Sequence, residues 1–493
     1  MQARERELFG HPIGLTVLFL TEMWERFCFY GMRALLALYV AHRLSRPDVA
    51  GGVPGFFAVR HAIESVFGHL DDEQFADQIY GLYTAFVYLT PVFGGILADR
   101  LIGQRKSVII GGVIMAIGEF MMMKEALFFP AMLTLIIGNG FFKSNISTQV
   151  GNLYGKGDAR RDRAFNVFYV GINIGGLLSP LVCGTLGQTK DAAGNQHWAW
   201  GFGSAGVGMI IGLCLYLWGQ RYLAADLVMQ KSANAGAGVA SAPATKEKRP
   251  FTKGEIARIV ALIVLCALNI SFWGVYEQQG NSLQFWADGK ADLHVLAFLG
   301  SNWQMPSTWF QSINGIFIFL LTFLVNPFWA WLQKKGKDPS SVAKMAIGCF
   351  LLGFSFLVMI GGGHVVDSGQ KASFGWLVGC SFLLTLGEIY LSPVGLSLVT
   401  KIAPPRILSM MMGMWFLSSF FGNYASGYLA TWSNRMSNSS FFLLLATISL
   451  VTGALMIVLY IPLKRAIGDE NAREDDNPPI EPPHERELTA DRA

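Results

Sequence analysis

The fold class predicted from this sequence is an all-α membrane protein of twelve transmembrane helices arranged as two six-helix bundles, and three observations predict it. Of 493 residues, 52% are hydrophobic and only 15% are charged, with a mean hydropathy of +0.40, whereas soluble domains carry roughly 25% charged residues. Twelve apolar stretches reach helix-spanning length. A Gly/Ala/Ser-rich segment ending in Lys246-Glu-Lys-Arg249-Pro250 has the composition of a flexible linker and divides six stretches from six.

The stretches fall near residues 13–40, 75–98, 107–123, 127–150, 164–188, 199–222, 256–287, 309–332, 342–361, 374–400, 408–430 and 440–464. Most approach the run of about 20 apolar residues that the hydrocarbon core demands. Gly, Pro and small residues inside them suit helices, which satisfy their backbone groups within one segment, and alternating barrel strands are absent. The first stretch has charges at its centre and no small-residue cleavage pattern, so it reads as a retained helix rather than a signal peptide.

The predicted organisation is an N-terminal bundle over 1–222, a cytoplasmic linker over 223–255, a C-terminal bundle over 256–466 and a disordered acidic tail over 467–493. Residues 42–74 read as a polar outer loop. A basic loop follows the second helix of each half, Asp99-Arg100-Leu-Ile-Gly103-Gln-Arg105-Lys106 in one and Lys334-Lys335-Gly336-Lys337-Asp338 in the other. This echo points to a parallel repeat with a site between the halves at the midplane.

Most of the 38 Lys and Arg residues fall on the side of the N-terminus, which puts both termini in the cytoplasm. The net charge of +4 is then a topology signal, and no nucleic-acid partner is expected. Cys28, Cys183, Cys214, Cys266, Cys349 and Cys380 lie in apolar segments without metal-ligand spacing and read as buried thiols. No cofactor or metal is expected. An enzyme is not expected either, because no nucleophile–base pair appears at membrane depth and the Gly-rich stretches lie inside helices rather than in a phosphate cradle.

The chemistry is carried by charges inside the spans. Glu22, Glu25, Arg26 and Arg33 project near about 0°, 300°, 40° and 20° around the first helix and share one stripe. Each charge at bilayer depth costs roughly 2.5–3.5 kcal/mol on insertion scales, so the stripe implies a wet cavity or a partner helix. Lys143, Glu277 and Glu388 lie near the centres of other spans. Arg33 and Glu277 both sit roughly 9–10 Å above the midplane by helical rise, so one salt bridge is expected there. Lys143 and Glu388 lie near the midplane, where a second is expected. Four acids then face three bases, leaving one carboxylate to be protonated or matched by a bound cation, and proton coupling is preferred to purely structural pairing. Glu119, nearer a helix end, is expected to snorkel or to pair with Lys124. Tyr30, Tyr83, Asn173, Asn314, Trp273 and Trp415 stand near these charges and fit an organic substrate of both charge signs.

At these residues the chain resembles the proton-dependent oligopeptide transporter family of the major facilitator superfamily. The family signature E-x-x-E-R-F-x-x-Y-G reads here as Glu22 to Gly31 without a break. Gly94-Gly-Ile-Leu-Ala-Asp99-Arg100-Leu-Ile-Gly103, Phe165-Asn-Val-Phe-Tyr-Val-Gly-Ile-Asn173-Ile-Gly-Gly-Leu177 and Ser392-Pro393-Val-Gly395 are also similar.

The resemblance implies a major facilitator fold and uptake of di- and tripeptides with protons, by a monomer in the inner or plasma membrane. It implies proton coupling at Glu22, Glu25, Arg26, Arg33, Glu277, Lys143 and Glu388. In the family's pattern the peptide amino group goes to Glu388, the amides to Asn173 and Asn314, and the carboxylate to Arg26, Arg33 and Lys143. Tyr30, Tyr83, Trp273 and Trp415 match pocket-lining positions. Protonation of Glu277 or of the Glu22/Glu25 pair is expected to release Arg33 so that the site turns inward.

Three departures stand out. The segment 223–255 is too short and polar for the two extra helices of many bacterial members, Phe29 stands where relatives often have a second Tyr, and no His lies mid-span. A transporter of another amphiphile, such as a drug or nitrate, and a membrane peptide sensor that moves nothing are the alternatives.

Overall fold

The computed structural model of the protein describes residues 7–8, 10–155, 158, 160–224, 251–295, 303–404 and 407–467. The linker over 225–250 and the acidic tail from 468 lie outside the described residues. Among those described, twelve long helices form the body: α1 Ile13–Tyr39, α2 Asp72–Leu97, α3 Gln104–Met122, α4 Phe128–Asn152, α5 Arg160–Gln188, α6 Trp198–Gly219, α7 Lys253–Tyr276, α8 Phe310–Lys334, α9 Ser341–Asp367, α10 Gly375–Ile402, α11 Leu408–Ala430 and α12 Asn438–Val458.

Nine spans among the described residues are long and apolar enough to cross a membrane. The other three long helices, α1, α3 and α11, are diluted by the residues that make them interesting. Glu22, Glu25, Arg26 and Arg33 sit in α1, Arg105, Lys106 and Glu119 in α3, and a run of Ser, Gly, Asn and Tyr in α11.

Helix starts are set locally. Asp71 accepts from the Gln74 amide at 2.8 Å while the Gln74 side chain accepts from the Asp71 amide at 3.1 Å, a reciprocal box that satisfies two otherwise orphan donors at the start of α2. Thr252 and Glu255 do the same for α7 at 3.2 and 2.8 Å.

Packing repeats with a shift of six helices. In the first half α1 packs on α5 and α6, α3 on α4 and α6, and α2 on α4; in the second, α7 packs on α11 and α12, α9 on α10 and α12, and α8 on α10. Each half buries its own apolar core, centred on residues such as Leu35, Phe75 and Phe202 in one and Phe272, Phe356 and Phe442 in the other. Large apolar residues such as Phe323 and Leu324 remain 76% and 67% exposed, and such a surface belongs against hydrocarbon rather than water.

The halves meet through α2 on α11 and α5 on α8, two seams that the same shift exchanges. Their hydrogen bonds cluster at the end of the bundle where α1 finishes, called here the closed end. Gln74 Nε2 donates to Thr431 O at 2.7 Å, Asn434 Nδ2 to Asp71 Oδ2 at 2.9 Å, Gln188 Nε2 to Ser307 Oγ at 2.8 Å, and Trp309 Nε1 to Thr185 Oγ1 at 2.9 Å. Gly81 and Gly427 let the backbones of α2 and α11 touch, since a Cβ at Gly81 would lie 2.9 Å from Gly427 Cα. No such bond joins the halves at the opposite end among the described residues, and that end is called here the open end. Tyr169, near the open-end start of α5, is 47% exposed.

Candidate functional site

The site lies between the bundles and is built first on α1. Glu22, Glu25 and Arg26 are 3%, 0% and 3% exposed, and charges so buried must pair. Arg26 Nε bonds Glu25 Oε2 and lies 3.3 Å from Glu22 Oε1, while Arg26 Nη2 donates to Glu25 Oε1 at 2.5 Å. Asn139 Nδ2 of α4 reaches Glu25 Oε1 at 3.3 Å. One guanidinium thus serves two carboxylates, and Glu22 Oε2 is left without a partner. The guanidinium also lies 5.0 Å from the centre of the Phe29 ring, a cation–π contact that needs no hydroxyl at that position.

About two turns nearer the closed end, Arg33 Nη2 pairs across the halves with Glu277 Oε2, and Arg33 Nε donates to the Tyr80 hydroxyl. Tyr80 in turn lies 3.5 Å from the same carboxylate oxygen. Glu277 is available there because α7 tightens into a 3₁₀ turn over Glu277–Gly280. Depth along the helices brought Arg33 and Glu277 to one level, and the structure joins them.

The expected bridge between Lys143 and Glu388 is not formed. Lys143 Nζ of α4 lies 4.0 Å from the centre of the Tyr88 ring and within the fields of Arg26, Glu25, Glu22 and Glu277. Glu388 of α10 is satisfied inside its own half, where its Oε2 accepts from the Tyr276 hydroxyl at 2.5 Å and from Asn314 Nδ2 at 3.2 Å. Asn314 also reaches Thr385 Oγ1 at 3.0 Å. Equal depth does not produce a bond when each residue has a closer partner in its own bundle.

Tyr30 stands among Arg26, Arg33, Glu388 and Glu277, which places it centrally. Asn173 Nδ2 turns back to Tyr169 O at 2.8 Å, and Gly175, two residues on, lets α5 settle on the Met23 carbonyl of α1. Trp273 stands edge-on to Tyr276 at 5.2 Å between ring centres, behind the Glu388 cluster. Trp415 is 5% exposed and packs on Gly395.

Tyr83 departs from expectation. It is 2% exposed in the apolar core of the first half, while Tyr80 and Tyr88 of the same helix meet the charges. Gly81 marks the seam face of α2, and at 100° per residue Tyr88 lies within about 20° of it whereas Tyr83 lies about 200° away. That signal was present in the sequence once Gly81 was placed.

Glu119 departs as well. It neither snorkels nor pairs with Lys124; it is 1% exposed, accepts from Cys28 Sγ at 3.3 Å, and its Oε2 has no partner. Depth gives height along a helix but not face, and α3 turns this residue inward toward α1.

Two repeated six-helix bundles with a cluster of buried charges between them, hydrogen-bonded to each other at one end, define an integral membrane protein of the major facilitator fold. The model of the POT family matches residues 105–231 and 224–451. The peptide transporter YePEPT of Yersinia enterocolitica is 31% identical over 95% of this chain and 98% of its own. A di-/tripeptide transporter of Lactococcus lactis is 31% identical over 94% and 98%. The crystal structure of the peptide transporter POT in complex with sulfate superposes with a TM-score of 0.78 at 30% identity, covering 94% of this chain and 98% of that one. The chain belongs to the POT family.

Proposed function

We propose that this protein is a proton-coupled symporter that imports di- and tripeptides by alternating access, through twelve spans with both termini in the cytoplasm of a cell whose inner or plasma membrane it occupies. It works as a monomer, and its two bundles, 1–222 and 256–466, are the moving bodies. The single observation that carries the reading is the division of charge across the cavity. Arg26, Arg33 and Lys143 lie on one bundle, while Glu388, held by Tyr276 and Asn314 without a cation, lies on the other. A zwitterionic peptide spans that division, with its carboxylate toward the cations, its amino group toward Glu388 and its amides toward Asn173 and Asn314. Relatives named as peptide transporters over nearly the full length support the substrate class.

In this reading the Arg33–Glu277–Tyr80 cluster locks the closed end, which faces outward. The pair is intact while that end is shut, which favours the opposite order from the sequence expectation. Breaking the pair lets the closed end open, and re-forming it accompanies the turn inward. Glu22 and Glu25 share Arg26 and hold the transported proton between them.

In proteoliposomes, Glu25→Gln and Lys143→Ala are expected to abolish dialanine uptake driven by an inward proton gradient. Near-normal driven uptake in both variants would sink the assignment.

A further inference from the structure

The α2–α11 seam contains an acid that the site above does not use. Gln74, Asp77, Gln78 and Gly81 follow one another at helical spacing along the face of α2 that meets α11. Gln74 bonds Thr431 O, and a Cβ at Gly427 would lie 2.7 Å from Asp77 O, 3.4 Å from Gln78 Cα and 3.2 Å from Gly81 Cα. Asp77 is 1% exposed, and its Oδ1 has no hydrogen-bond partner. Gln78 Nε2 and Asn423 Oδ1, also of this seam, are likewise unpaired.

Cations on the elements packed against α2 are paired with other groups, exposed, or placed at its far end; Arg26 of α1 is held by Glu25 and Glu22. Arg33 of α1 is held by Glu277 and Tyr80. In the turn after α1, Arg43 pairs with Glu125, and His42 lies 3.7 Å from Asp288. Lys143 of α4 stacks on Tyr88, and Arg60 of the short helix Phe56–Phe67 is held by Glu64 and Asp72. His61 of that helix is exposed. Arg100, with Asp99, follows α2 at its open end. On α11 the titratable groups are Tyr424 and Tyr428. The charges whose field reaches Asp77 are those of Glu73 and Asp71, both negative.

We propose that Asp77 is a proton-binding site of the closed end, taking up a proton as α2 and α11 close and releasing it when they part. An ionised carboxylate buried without a counter-ion costs several kcal/mol, whereas the same group in water is ionised at neutral pH. Closing the seam therefore takes up one proton from the outward face, and the step balances with no other reactant. Acid favours the closed end, and the bias is lost as pH rises. One linked proton changes the closed-to-open ratio by up to about tenfold per pH unit. This inference rests on the alternating-access reading and adds to it a proton gate separate from the peptide cavity.

The test measures distance between spin labels at Val66→Cys and Gln370→Cys, both exposed near the closed end on opposite halves. The exposed Cys214 is replaced by Ser and the five buried thiols are kept. The full chain in nanodiscs is expected to shift from short to long distances as pH rises. Asp77→Asn, neutral at every pH, is expected to stay closed and lose up to tenfold per unit of that dependence. Asp77→Ser removes the acid by a different route and is read the same way should the amide variant not fold. The infrared stretch of a protonated carboxyl, present in the closed state, is expected to weaken in either variant. A wild-type distance that responds to pH with identical curves in Asp77→Asn or Asp77→Ser overturns this inference alone. A wild-type distance that responds to neither pH nor dialanine overturns it together with alternating access.

Discussion

Gly81→Ala is expected to prise open the closed end without damaging either bundle. A Cβ at this position would lie 2.9 Å from Gly427 Cα, 3.0 Å from Gly427 N and 3.2 Å from Asn423 O, all backbone atoms of α11 that no rotamer change can withdraw. The methyl group is accommodated only by moving the helices apart. Overpacking of this kind costs about 1–3 kcal/mol. Because the strain exists only while the seam is shut, it falls on the closed state and shifts the closed-to-open ratio by about 5- to 150-fold. Gly111→Ala is the matched control. Its Cβ would meet Gly138 O at 2.7 Å and Phe142 N at 2.8 Å, again backbone, but between α3 and α4 of one bundle. It is expected to lower the thermal unfolding temperature while leaving the ratio unchanged. The assay is the distance distribution between labels at residues 66 and 370. An unchanged distribution in Gly81→Ala, or an equal shift in Gly111→Ala, would refute the argument that the seam and not the bundle is the mobile contact.

Glu277→Gln leaves Arg33, 6% exposed, with only Tyr80; losing one partner of a buried pair costs about 3–5 kcal/mol, so the closed population is expected to fall sharply in the same distance measurement and driven dialanine uptake with it. Asp71→Ala removes both the α2 cap and the tether from Asn434. It is expected to cost about 0.5–2 kcal/mol in thermal unfolding and also to raise the open fraction, whereas Ser437→Ala, a cap confined to the second half, should do only the first. In the α5–α6 loop, the Asn195 backbone amide at 2.8 Å, followed by its side chain, holds the Asp191 carboxyl below its ordinary value. That order is present above the usual carboxylate range near about 3.9 and is lost as pH falls through the lowered value, which amide exchange at Gly194 and Asn195 will report.

Helix positions were legible in the sequence because length and hydropathy fix them; most ends differ from expectation by a few residues, but the stretch expected over 256–287 breaks after Tyr276 into a 3₁₀ turn and a short helix Ser282–Gly289. Arg33 and Glu277 were legible as a pair because helical rise converts sequence position into depth. What depth omits is azimuth and distance across the cavity. Lys143 and Glu388 share a level yet have separate partners, Glu119 points inward instead of to the interface, and Tyr88 rather than Tyr83 meets the charges. Each error concerns which side of a helix faces which neighbour. Asp77 was passed over for a related reason: near the end of a span an acid reads as interfacial, and only the contact of Gly81 with Gly427 shows that this end of α2 is covered by the other bundle.

The distribution of unmatched acids bears on how a proton can drive motion. Glu119 lies within one bundle, bonded to Cys28 of the same bundle, and a rigid-body movement leaves its surroundings unchanged. A proton bound there has the same affinity in both states, and a ligand with equal affinity for two states shifts neither. Glu277 pairs across the bundles with Arg33 of α1 and Asp77 lies on the α2–α11 seam, so in the alternating-access reading their surroundings differ between the open and closed forms and their protons carry coupling energy. The seams themselves are made of specific contacts. They are held by hydrogen bonds at a few polar side chains and by glycine contacts, while the large apolar cores stay inside each bundle. One or two linked protons and a peptide reverse the population of the closed state where the two states lie within a few kcal/mol of each other.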